Sequence, residues 1–257
     1  MKISKKIKQK LINLQKQKYF CPVCQNKVKS FIPLIKKYRG KVVIHSKEYY
    51  PYKDCETLNA EAYSCPYCSA SDRERLYILF LKKFILKQTQ KLKIIHFAPE
   101  KALEHFLRKL KSNEYRTADL FMKDVDDIAD LTDLHIYSEN SFDLLICSHI
   151  LEHIPSDTQA MQELYRILEP GGKGIIMVPI LEKLSQVYED LNIITDEERL
   201  LHFGQEDHIR MYNQKGFIQR LEEVGFKVTL YTINQFSDTD FTINGISKKS
   251  VLYIVEK

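Results

Sequence analysis

Two short cysteine motifs in the sequence have the spacing of metal ligands. CPVC (residues 21–24) and CPYC (residues 65–68) each place two thiols on one turn, and the proline after the first cysteine favours that turn. Two such pairs are typical of a tetrahedral zinc site, whereas a thioredoxin-like redox pair explains one pair and not two. We therefore predict a structural Zn²⁺ bound by Cys21, Cys24, Cys65 and Cys68, with no open position for catalysis.

The cysteine region departs from a compact zinc ribbon in two ways. The 40 residues between the pairs exceed the roughly 15–20 of a compact ribbon, and Gln25 and Ser69 follow the motifs where glycine is frequent. Residues 31–35 and 41–46 predict two strands joined across residues 39–40, as in an elaborated ribbon. His45 and Cys55 lie in the same stretch and are less favoured alternative ligands.

Composition and charge limit the classes of protein to which the chain can belong. The 257 residues are 44% hydrophobic and 28% charged, as in soluble globular proteins, and no apolar run is long enough to span a membrane. The net charge of +5 comes mostly from dispersed lysines, and only the first 18 residues form a basic run. That run predicts a basic helix or tail over residues 1–16, and the lack of a signal-type apolar core favours the cytoplasm.

The remaining elements follow from apolar periodicity. After the cysteine module (residues 17–70), the pattern predicts a linking segment over 71–90 with a helix at 72–88. Arg73 and Arg75 in its first turn are interpreted as surface charge, or else as an anion contact for a cofactor carboxylate. Residues 91–257 then alternate strands with helices, which predicts an α/β domain with a mainly parallel sheet.

The individual α/β elements are predicted as follows. Strands are expected at 91–98, 114–120, 141–150 and 172–180, and helices at 100–110, 157–168 and 214–224. Two late strands, 226–233 and 250–257, are separated by a stretch in which no helix is predicted. Because that connection is short, we expect these two strands to pair antiparallel.

The string FDLLICSHILEHIPSDTQAMQELYRILEPGGKGIIMVP (residues 142–179) resembles the centre of a class I S-adenosylmethionine-dependent methyltransferase, chiefly through its LEH and LEPGG segments. The resemblance covers about 91–257 and implies a Rossmann-like seven-stranded sheet of order 3-2-1-4-5-7-6. Together with the CPxC pairs, the segments HFAPE (96–100) and FGQEDHIRMY (203–212) look like a bacterial "methyltransferase type 11" subgroup. The implied cofactor is S-adenosyl-L-methionine.

The resemblance implies a cofactor turn after the first strand, although HFAPE has no glycine. His96 takes the place of the family's acid, Phe97 that of its apolar residue, and Ala98, Glu100 and Ala102 those of its three glycines. Alanine at the first place is compatible with a negative φ. Glu100 is expected either to pair with the ammonium of the cofactor or to stabilise the start of the next helix.

The resemblance also implies the remaining cofactor contacts. Asp119, followed by Leu120, is expected at the end of the second strand, where an acid binds a ribose diol; the alternative is that Asp119 only caps a turn. Asp130 and Leu131 are expected at the adenine, and Ser148 and His149 follow the strand whose end faces the ligand. His153, in the LEH segment, is expected mainly to pack or cap.

The long polar segment 181–213 is expected at the rim of the site, where such segments act as lids or bind substrate, although a solvated loop is the alternative. Its candidate substrate residues are His202, Gln205, Asp207, His208, Arg210 and Tyr212. For a hydroxyl acceptor a general base is useful, and the candidates are His149 and His208.

The sequence therefore favours methyl transfer to a small polar acceptor such as a sugar, a nucleotide-sugar or a surface-glycan precursor. One alternative is an RNA methyltransferase, in which the zinc module and basic N-terminus hold nucleic acid. A second alternative is a non-catalytic protein whose degenerate turn no longer binds the cofactor. The acceptor atom and the oligomeric state are not indicated.

Overall fold

A computed structural model describes residues 18–36, 39–86, 91–110 and 113–257. The predicted basic segment 1–16 and the end of the predicted linking helix lie outside these ranges. Strands are β1 (Tyr19–Phe20), β2 (Lys27–Val28), β3 (Val42–Ile44), β4 (Lys47–Tyr49), β5 (Lys93–Phe97), β6 (Glu114–Asp119), β7 (Asp127–Ile128), β8 (Phe142–Ser148), β9 (Leu168–Met177), β10 (Tyr188–Glu189), β11 (Arg210–Met211), β12 (Lys227–Tyr231) and β13 (Leu252–Glu256). Helices are α1 (Pro51–Asp54), α2 (Asp72–Phe80), α3 (Lys101–Arg108), α4 (Asp157–Ile167), α5 (Asp196–Phe203), α6 (Gln214–Val224) and α7 (Asp238–Ile243).

A seven-stranded sheet forms the centre of the protein, in the order β7-β6-β5-β8-β9-β13-β12. The strands from β7 to β9 are parallel, and β13 runs antiparallel to both β9 and β12. The central strands are continuous apolar runs because both faces of a parallel sheet are covered. This order is the predicted 3-2-1-4-5-7-6, and the fold class is confirmed.

The connection between β12 and β13 corrects one prediction. The stretch expected to lack a helix contains a 3₁₀ turn, Ile233–Gln235, and α7. Ser237 caps α7, because its hydroxyl accepts a hydrogen bond from the amide of Asp240 at 3.0 Å. The helix is only six residues long, too short for its apolar periodicity to be visible. The antiparallel pairing of the two strands is as predicted.

The stretch between the cysteine pairs also folds differently from the prediction. Residues 31–35 form no strand, apart from an isolated bridge between Ile32 and Ser64. Instead β3 pairs with β4 across a two-residue turn, in which His45 and Ser46 both have positive φ. Such a turn matches the twist of a hairpin, so the hairpin forms locally rather than across residues 39–40.

The β3–β4 hairpin packs against the 181–213 segment. Val42 and Ile44 share a small apolar core with Leu181, Phe203 and Met211. The cysteine motifs belong to the larger core under the sheet, in which Cys21 and Cys65 are buried. The region between the two motifs therefore supports the rim segment, while the motifs themselves pack on the α/β core.

Arg75 corrects the expectation for the start of the linking helix. α2 begins at a capping box in which Ser71 and Glu74 bond each other's backbone amides, and a π-helical turn, Leu81–Ile85, continues it. Arg75 is fully buried, over the ring of Phe31 at 3.8 Å, and is neither a surface charge nor an anion contact. Its guanidinium donates to the carbonyls of Ala62, Tyr63, Ala70, Asn244 and Gly245.

Within the described residues, no helix has the length and apolar content needed to cross a membrane.

Candidate functional site

A cleft of about 740 Å³ opens at the carboxyl ends of β5, β6 and β8. Its walls come from the ends of β5 and β6, residues 129–132, the loop after β8, Gln159 and Asp207. Parallel strands direct their carboxyl ends to one edge, where open α/β sheets bind ligands. The volume lies in the range of small-molecule and cofactor sites.

Most of the predicted cofactor residues lie in this cleft, and three do not. The seven that line it are Phe97, Ala98, Asp119, Leu120, Asp130, Leu131 and His149. His96, Glu100 and Ser148 lie behind the wall. The tertiary structure thus gathers residues from three separate strand ends at one site.

The glycine-free turn adopts a conformation that usually requires glycine. Ala98 has φ of +44°, so the expectation of a negative φ at this position is wrong. His149, at the end of the neighbouring strand β8, also has positive φ, at +57°. A non-glycine residue in the left-handed region costs on the order of 1–2 kcal/mol, and such strain concentrates at functional sites. Two residues with strained backbones therefore line the cleft, at the ends of the neighbouring strands β5 and β8.

Behind this turn, His96 and Glu100 form a hydrogen-bonded pair. His96 is fully buried; its Nδ1 lies 2.8 Å from the hydroxyl of Tyr115, and its Nε2 lies 2.9 Å from a carboxylate oxygen of Glu100. Burial alone would raise the pKa of Glu100, but its bond to His96 and the charge of Arg73 bring that pKa below its usual value. Glu100 is thus an anion held at the start of α3.

Asp119 and Asp130, two of the acidic residues that line the cleft, each use one carboxylate oxygen for hydrogen bonds within the protein. Oδ1 of Asp119 accepts hydrogen bonds from the amides of Phe121 and Met122, both at 2.7 Å. Oδ1 of Asp130 accepts from the amide and hydroxyl of Thr132, at 2.8 and 2.7 Å. No donor among the described residues bonds the second oxygen of either acid, so each keeps an acceptor for a ligand.

A cation lies near the inner end of the cofactor turn. Arg73 is half-buried, and its Nε has no hydrogen-bond partner in the described part of the chain.

The end of β8 carries two of the predicted cofactor residues. Ser148 bonds the hydroxyl of Tyr77 at 3.0 Å. Burial, and next the charge of Arg73, lower the pKa of His149 against the opposing effect of Glu152. The imidazole of His149 is therefore neutral at pH 7.

Histidines and a carboxylate cluster at the other end of the cleft, where the loop after β8 meets the 181–213 segment. His153 lines the cleft, and its Nδ1 lies 3.2 Å from the backbone oxygen of Asp207. The ring of His208 lies edge-on to that of His153, with centroids 4.7 Å apart. Burial lowers the pKa of His208 to about 4. Glu152 is fully buried beside them.

The predicted substrate residues of the 181–213 segment divide by placement. Asp207 lines the cleft, and His208 is buried next to it. Gln205 is exposed and does not line the cleft. His202 bonds the hydroxyl of Tyr188 at 2.9 Å, outside the cleft.

For Arg210 and Tyr212 the predicted substrate contact is wrong, because both side chains are buried and bonded within the protein. Arg210 donates to the backbone oxygens of residues 151, 154 and 155 and to Glu189. The hydroxyl of Tyr212 donates to Asp157 at 2.6 Å. They attach the rim segment to the loop that walls the cleft.

Phe121 is an aromatic residue of the cleft that was absent from the sequence interpretation. Phe121 is 85% exposed at the rim, two positions after Asp119. A large exposed aromatic side chain beside a polar cleft is a surface on which a flat ring can stack. The signal was its position just past the end of a strand, although sequence alone does not show that the ring is exposed.

The four predicted zinc ligands lie together. Their ligand atoms are within 4.8 Å of one another, and the Sγ atoms of Cys21 and Cys68 are 3.7 Å apart, those of Cys24 and Cys65 3.8 Å. A tetrahedron with Zn–S bonds of about 2.3 Å has edges of about 3.8 Å, so the donor set fits zinc. His45 and Cys55 are not in the cluster that the described residues form.

The two cysteine turns have the same backbone geometry. The amides of Gln25 and Ser69 donate to the carbonyls of Cys21 and Cys65, at 2.8 and 2.9 Å. Gln25 and Ser69 have φ of 61° and 62°. The residue after each motif is thus left-handed, which explains why glycine is frequent there.

The chain is similar to known methyltransferases. A family model described as a methyltransferase domain matches residues 113–176. Ubiquinone/menaquinone biosynthesis C-methyltransferase UbiE of Vibrio cholerae is 28% identical over 109 residues, which cover 37% of this chain and 41% of that protein. The corresponding protein of Pseudoalteromonas translucida is 28% identical over 107 residues, covering 37% and 43%.

Two solved structures are similar at low sequence identity. A SAM-dependent methyltransferase from Archaeoglobus fulgidus has a TM-score of 0.46 at 12% identity, covering 74% of this chain and 96% of that one. Phosphoethanolamine N-methyltransferase 2 of Haemonchus contortus has a TM-score of 0.45 at 14% identity, covering 74% and 53%.

The match to the curated relatives spans less than half of their length. The family model covers β6, which ends at Asp119, and β8, which His149 follows, and the sheet has the strand order of that family. The chain therefore carries a class I S-adenosylmethionine-dependent methyltransferase domain.

Proposed function

We propose that the protein binds S-adenosylmethionine in the cleft and transfers its methyl group to a small polar acceptor, such as a sugar, a nucleotide-sugar or a related glycan precursor. The observation that carries the proposal is the arrangement of the cleft. Acids with a free carboxylate oxygen, Asp119 and Asp130, stand at the β6–β7 side, and a histidine cluster stands at the β8 side.

The residues present fit the cofactor. Asp119 would accept from the ribose hydroxyls, and Asp130 with the backbone of Leu131 would bind the adenine edge. Phe121 would cover the adenine face, because its ring is exposed at the rim of the cleft. Arg73 and Glu100 do not line the cleft, but from behind the turn at Ala98 their opposite charges would attract the carboxylate and ammonium of the amino-acid end.

The chain's contribution to the reaction is placement. When bound, the cofactor supplies a methyl group activated on a sulfonium. The left-handed residues Ala98 and His149 both line the cleft, and Asp207 of the 181–213 segment contributes to its wall. Aligned, water-poor positioning of two reactants accounts for much of the acceleration of such a displacement.

The acceptor end of the cleft is the part formed by His149, His153, Ser156, Gln159 and Asp207. All five side chains carry hydrogen-bonding atoms, which supports a polar acceptor. Of the two candidate bases, His149 is better placed, because it lines the cleft while His208 lies behind His153.

Cofactor binding is tested by calorimetry with S-adenosylhomocysteine. Asp119→Asn removes the charge on the free oxygen and should weaken binding at least tenfold, since a hydrogen bond to a charged group contributes about 1.5–3 kcal/mol. Asp124→Asn is the matched control, because Asp124 is exposed and outside the cleft. Failure of the unaltered protein to bind S-adenosylhomocysteine would refute the function.

The acceptor class is tested by transfer of a labelled methyl group from S-adenosylmethionine. Nucleotide-sugars and free sugars should be labelled, and RNA or a quinone precursor should not. Labelling of RNA that disappears with added salt would favour a nucleic-acid substrate instead.

We also propose that the four-cysteine cluster binds a structural zinc ion, supported by the 3.7 and 3.8 Å sulfur separations. Metal analysis should find one zinc per chain at the cluster. Cys24→Ser should lower both the zinc content and the thermal stability, while Cys55→Ser should leave the zinc content unchanged. Equal zinc content in the Cys24 variant would contradict the assignment.

A further inference from the structure

A second group of metal-ligating side chains lies at the acceptor end of the cleft. Glu152, His153 and His208 each offer one ligand atom, and these atoms lie within 4.8 Å of one another. When two ligand atoms each bind one ion at about 2.0–2.2 Å, they are at most about 4.4 Å apart. Small side-chain shifts would therefore bring all three ligand atoms within bonding distance of a single ion. Contact between the loop after β8 and the 181–213 segment brings the three residues together.

The group contains buried polar atoms that the protein does not satisfy. Both carboxylate oxygens of Glu152 and Nδ1 of His208 are buried without a hydrogen-bond partner among the described residues. Nδ1 of His149 approaches Oε1 of Glu152 to 3.2 Å, but not in hydrogen-bonding geometry. Leaving a buried carboxylate without a partner costs several kcal/mol, so natural proteins pair it or use it to bind a metal. One cation would satisfy Glu152 and His208 together.

The surroundings of His153 fit the role of a ligand. Its Nδ1 faces the backbone oxygen of Asp207 at 3.2 Å and the carboxylate of Asp207 at 3.4 Å. A ligating histidine commonly donates its other ring N–H to a carbonyl or carboxylate, which fixes the tautomer. The contact with Asp207 would thus leave Nε2 of His153 as the ligand atom.

We propose that Glu152, His153 and His208 bind a divalent transition-metal ion, preferably Zn²⁺, distinct from the ion of the four-cysteine cluster. Two imidazole nitrogens and one carboxylate form a donor set of catalytic zinc, which keeps a further position for water or substrate. Imidazole ligands disfavour Mg²⁺ and Ca²⁺. Because His153 lines the cleft, the open position would face the acceptor.

The role of this ion rests on the proposed function. The hydroxyl oxygen of the acceptor would bind at the open position, where the positive charge lowers its pKa and the proton passes to solvent water. The oxygen lone pair would then form the O–CH₃ bond as the S–CH₃ bond breaks, with that bonding pair remaining on sulfur. This assigns a metal-assisted O-methylation, with no side-chain base required.

The metal site is tested with Co²⁺ alone, added to full-length protein whose cysteine cluster is already loaded with Zn²⁺. The weak visible absorption bands of Co²⁺ bound by nitrogen and oxygen ligands should increase until one equivalent of Co²⁺ has been added. The intense thiolate-to-cobalt absorption of a cysteine site should not appear. Glu152→Gln, which keeps the shape, and His153→Gln, at a partly exposed position, should each weaken Co²⁺ binding at least tenfold. His202→Gln is the matched control, because His202 lies in the 181–213 segment, as His208 does, but outside the metal-ligand cluster.

The outcomes separate the site from the proposed function. The absence of saturable Co²⁺ bands, thiolate bands alone, or equal affinity in both variants would overturn the metal site. S-adenosylhomocysteine binding is measured on the same samples. Cofactor binding without Co²⁺ binding would refute the metal site and leave the proposed function standing. If the unaltered protein binds Co²⁺ and the variants do not, the metal site is supported. If that same unaltered protein does not bind S-adenosylhomocysteine, the proposed function is refuted.

Discussion

Replacing Arg210 should weaken both the fold and the cofactor cleft. Arg210 is 4% exposed, and its guanidinium donates at 2.7 Å to the carbonyl of Leu151, at 2.9 Å to that of Pro155 and to that of Ile154. Its Nε donates to Glu189 at 2.9 Å. These carbonyls belong to the loop that walls the acceptor end, so one side chain fixes the loop to the rim segment.

The size of the effect follows from what Arg210→Met leaves behind. Three backbone oxygens of the loop lose their charged donor, while Glu189 keeps an ion pair with Arg220 at 2.8 Å. Removing one member of a buried charged network costs about 3–5 kcal/mol. For a chain of this size, 1 kcal/mol corresponds to roughly 2–4 °C, so the melting temperature should fall by about 6–20 °C.

Two assays measure the prediction for Arg210. Thermal unfolding gives the change in stability, and calorimetry gives the affinity for S-adenosylhomocysteine at a temperature where the variant is folded. Arg116→Met is the control, because Arg116 makes a surface ion pair with Asp127 and its side chain is 51% exposed; it should cost at most about 1 kcal/mol. If Arg210→Met melts within 2 °C (about 1 kcal/mol) of the unaltered protein and binds the ligand equally well, the anchoring role is refuted.

Three further predictions concern single side chains. Ala98→Gly should be neutral or stabilising by at most about 1 kcal/mol in thermal unfolding, because relief of the left-handed strain is offset by chain entropy, whereas Ala98→Val should destabilise by about 1–3 kcal/mol; a valine variant of full stability would contradict the backbone geometry. Phe121→Ala should weaken S-adenosylhomocysteine binding about fivefold to tenfold, as expected for about 1 kcal/mol of aromatic contact, and leave the melting temperature unchanged; unchanged affinity would exclude stacking. Burial raises the pKa of Glu56 to about 7, so the folded state binds the proton more tightly than the unfolded chain, and the free energy of unfolding should fall by about 2–3 kcal/mol as the pH rises from about 4.5 to 7. In denaturant unfolding, the free energy of unfolding of Glu56→Gln should depend less on pH over that range. An equal pH dependence in both proteins would contradict the assignment.

Local and periodic signals in the sequence correctly predicted the main strands of a mainly parallel sheet, and the family resemblance implied the order of those strands. The apolar runs of β5, β8 and β9 are visible because parallel strands bury both faces. The spacing within CPVC and CPYC predicted the cysteine cluster because each pair needs only one turn to form. The family resemblance assigned Asp119 to the end of the second strand, and the structure places it in the cleft.

The errors arose where a side chain's partner is far along the chain. Arg75 bonds the carbonyl of Asn244, 169 positions away, and Arg210 bonds that of Leu151, 59 positions away. From sequence alone, a polar side chain is interpreted as a surface or ligand-binding group, because its hydrogen-bond acceptors elsewhere in the chain are not known. The error at β3 has a different cause. Its partner β4 is adjacent in the sequence, but the short apolar strand could turn at residues 39–40 or at residues 45–46, and sequence alone did not decide between the two turns.

By itself, the sequence determined the main strands of the central sheet and the cysteine cluster, because these depend on spacing and periodicity within short stretches, and its resemblance to a family indicated the region of the cofactor cleft. Only the tertiary structure decided the conformation of the glycine-free turn, the anchoring role of Arg210 and the grouping of Glu152, His153 and His208. Each of these depends on backbone dihedrals or on contacts between segments distant in the chain, which the packing of the whole protein determines.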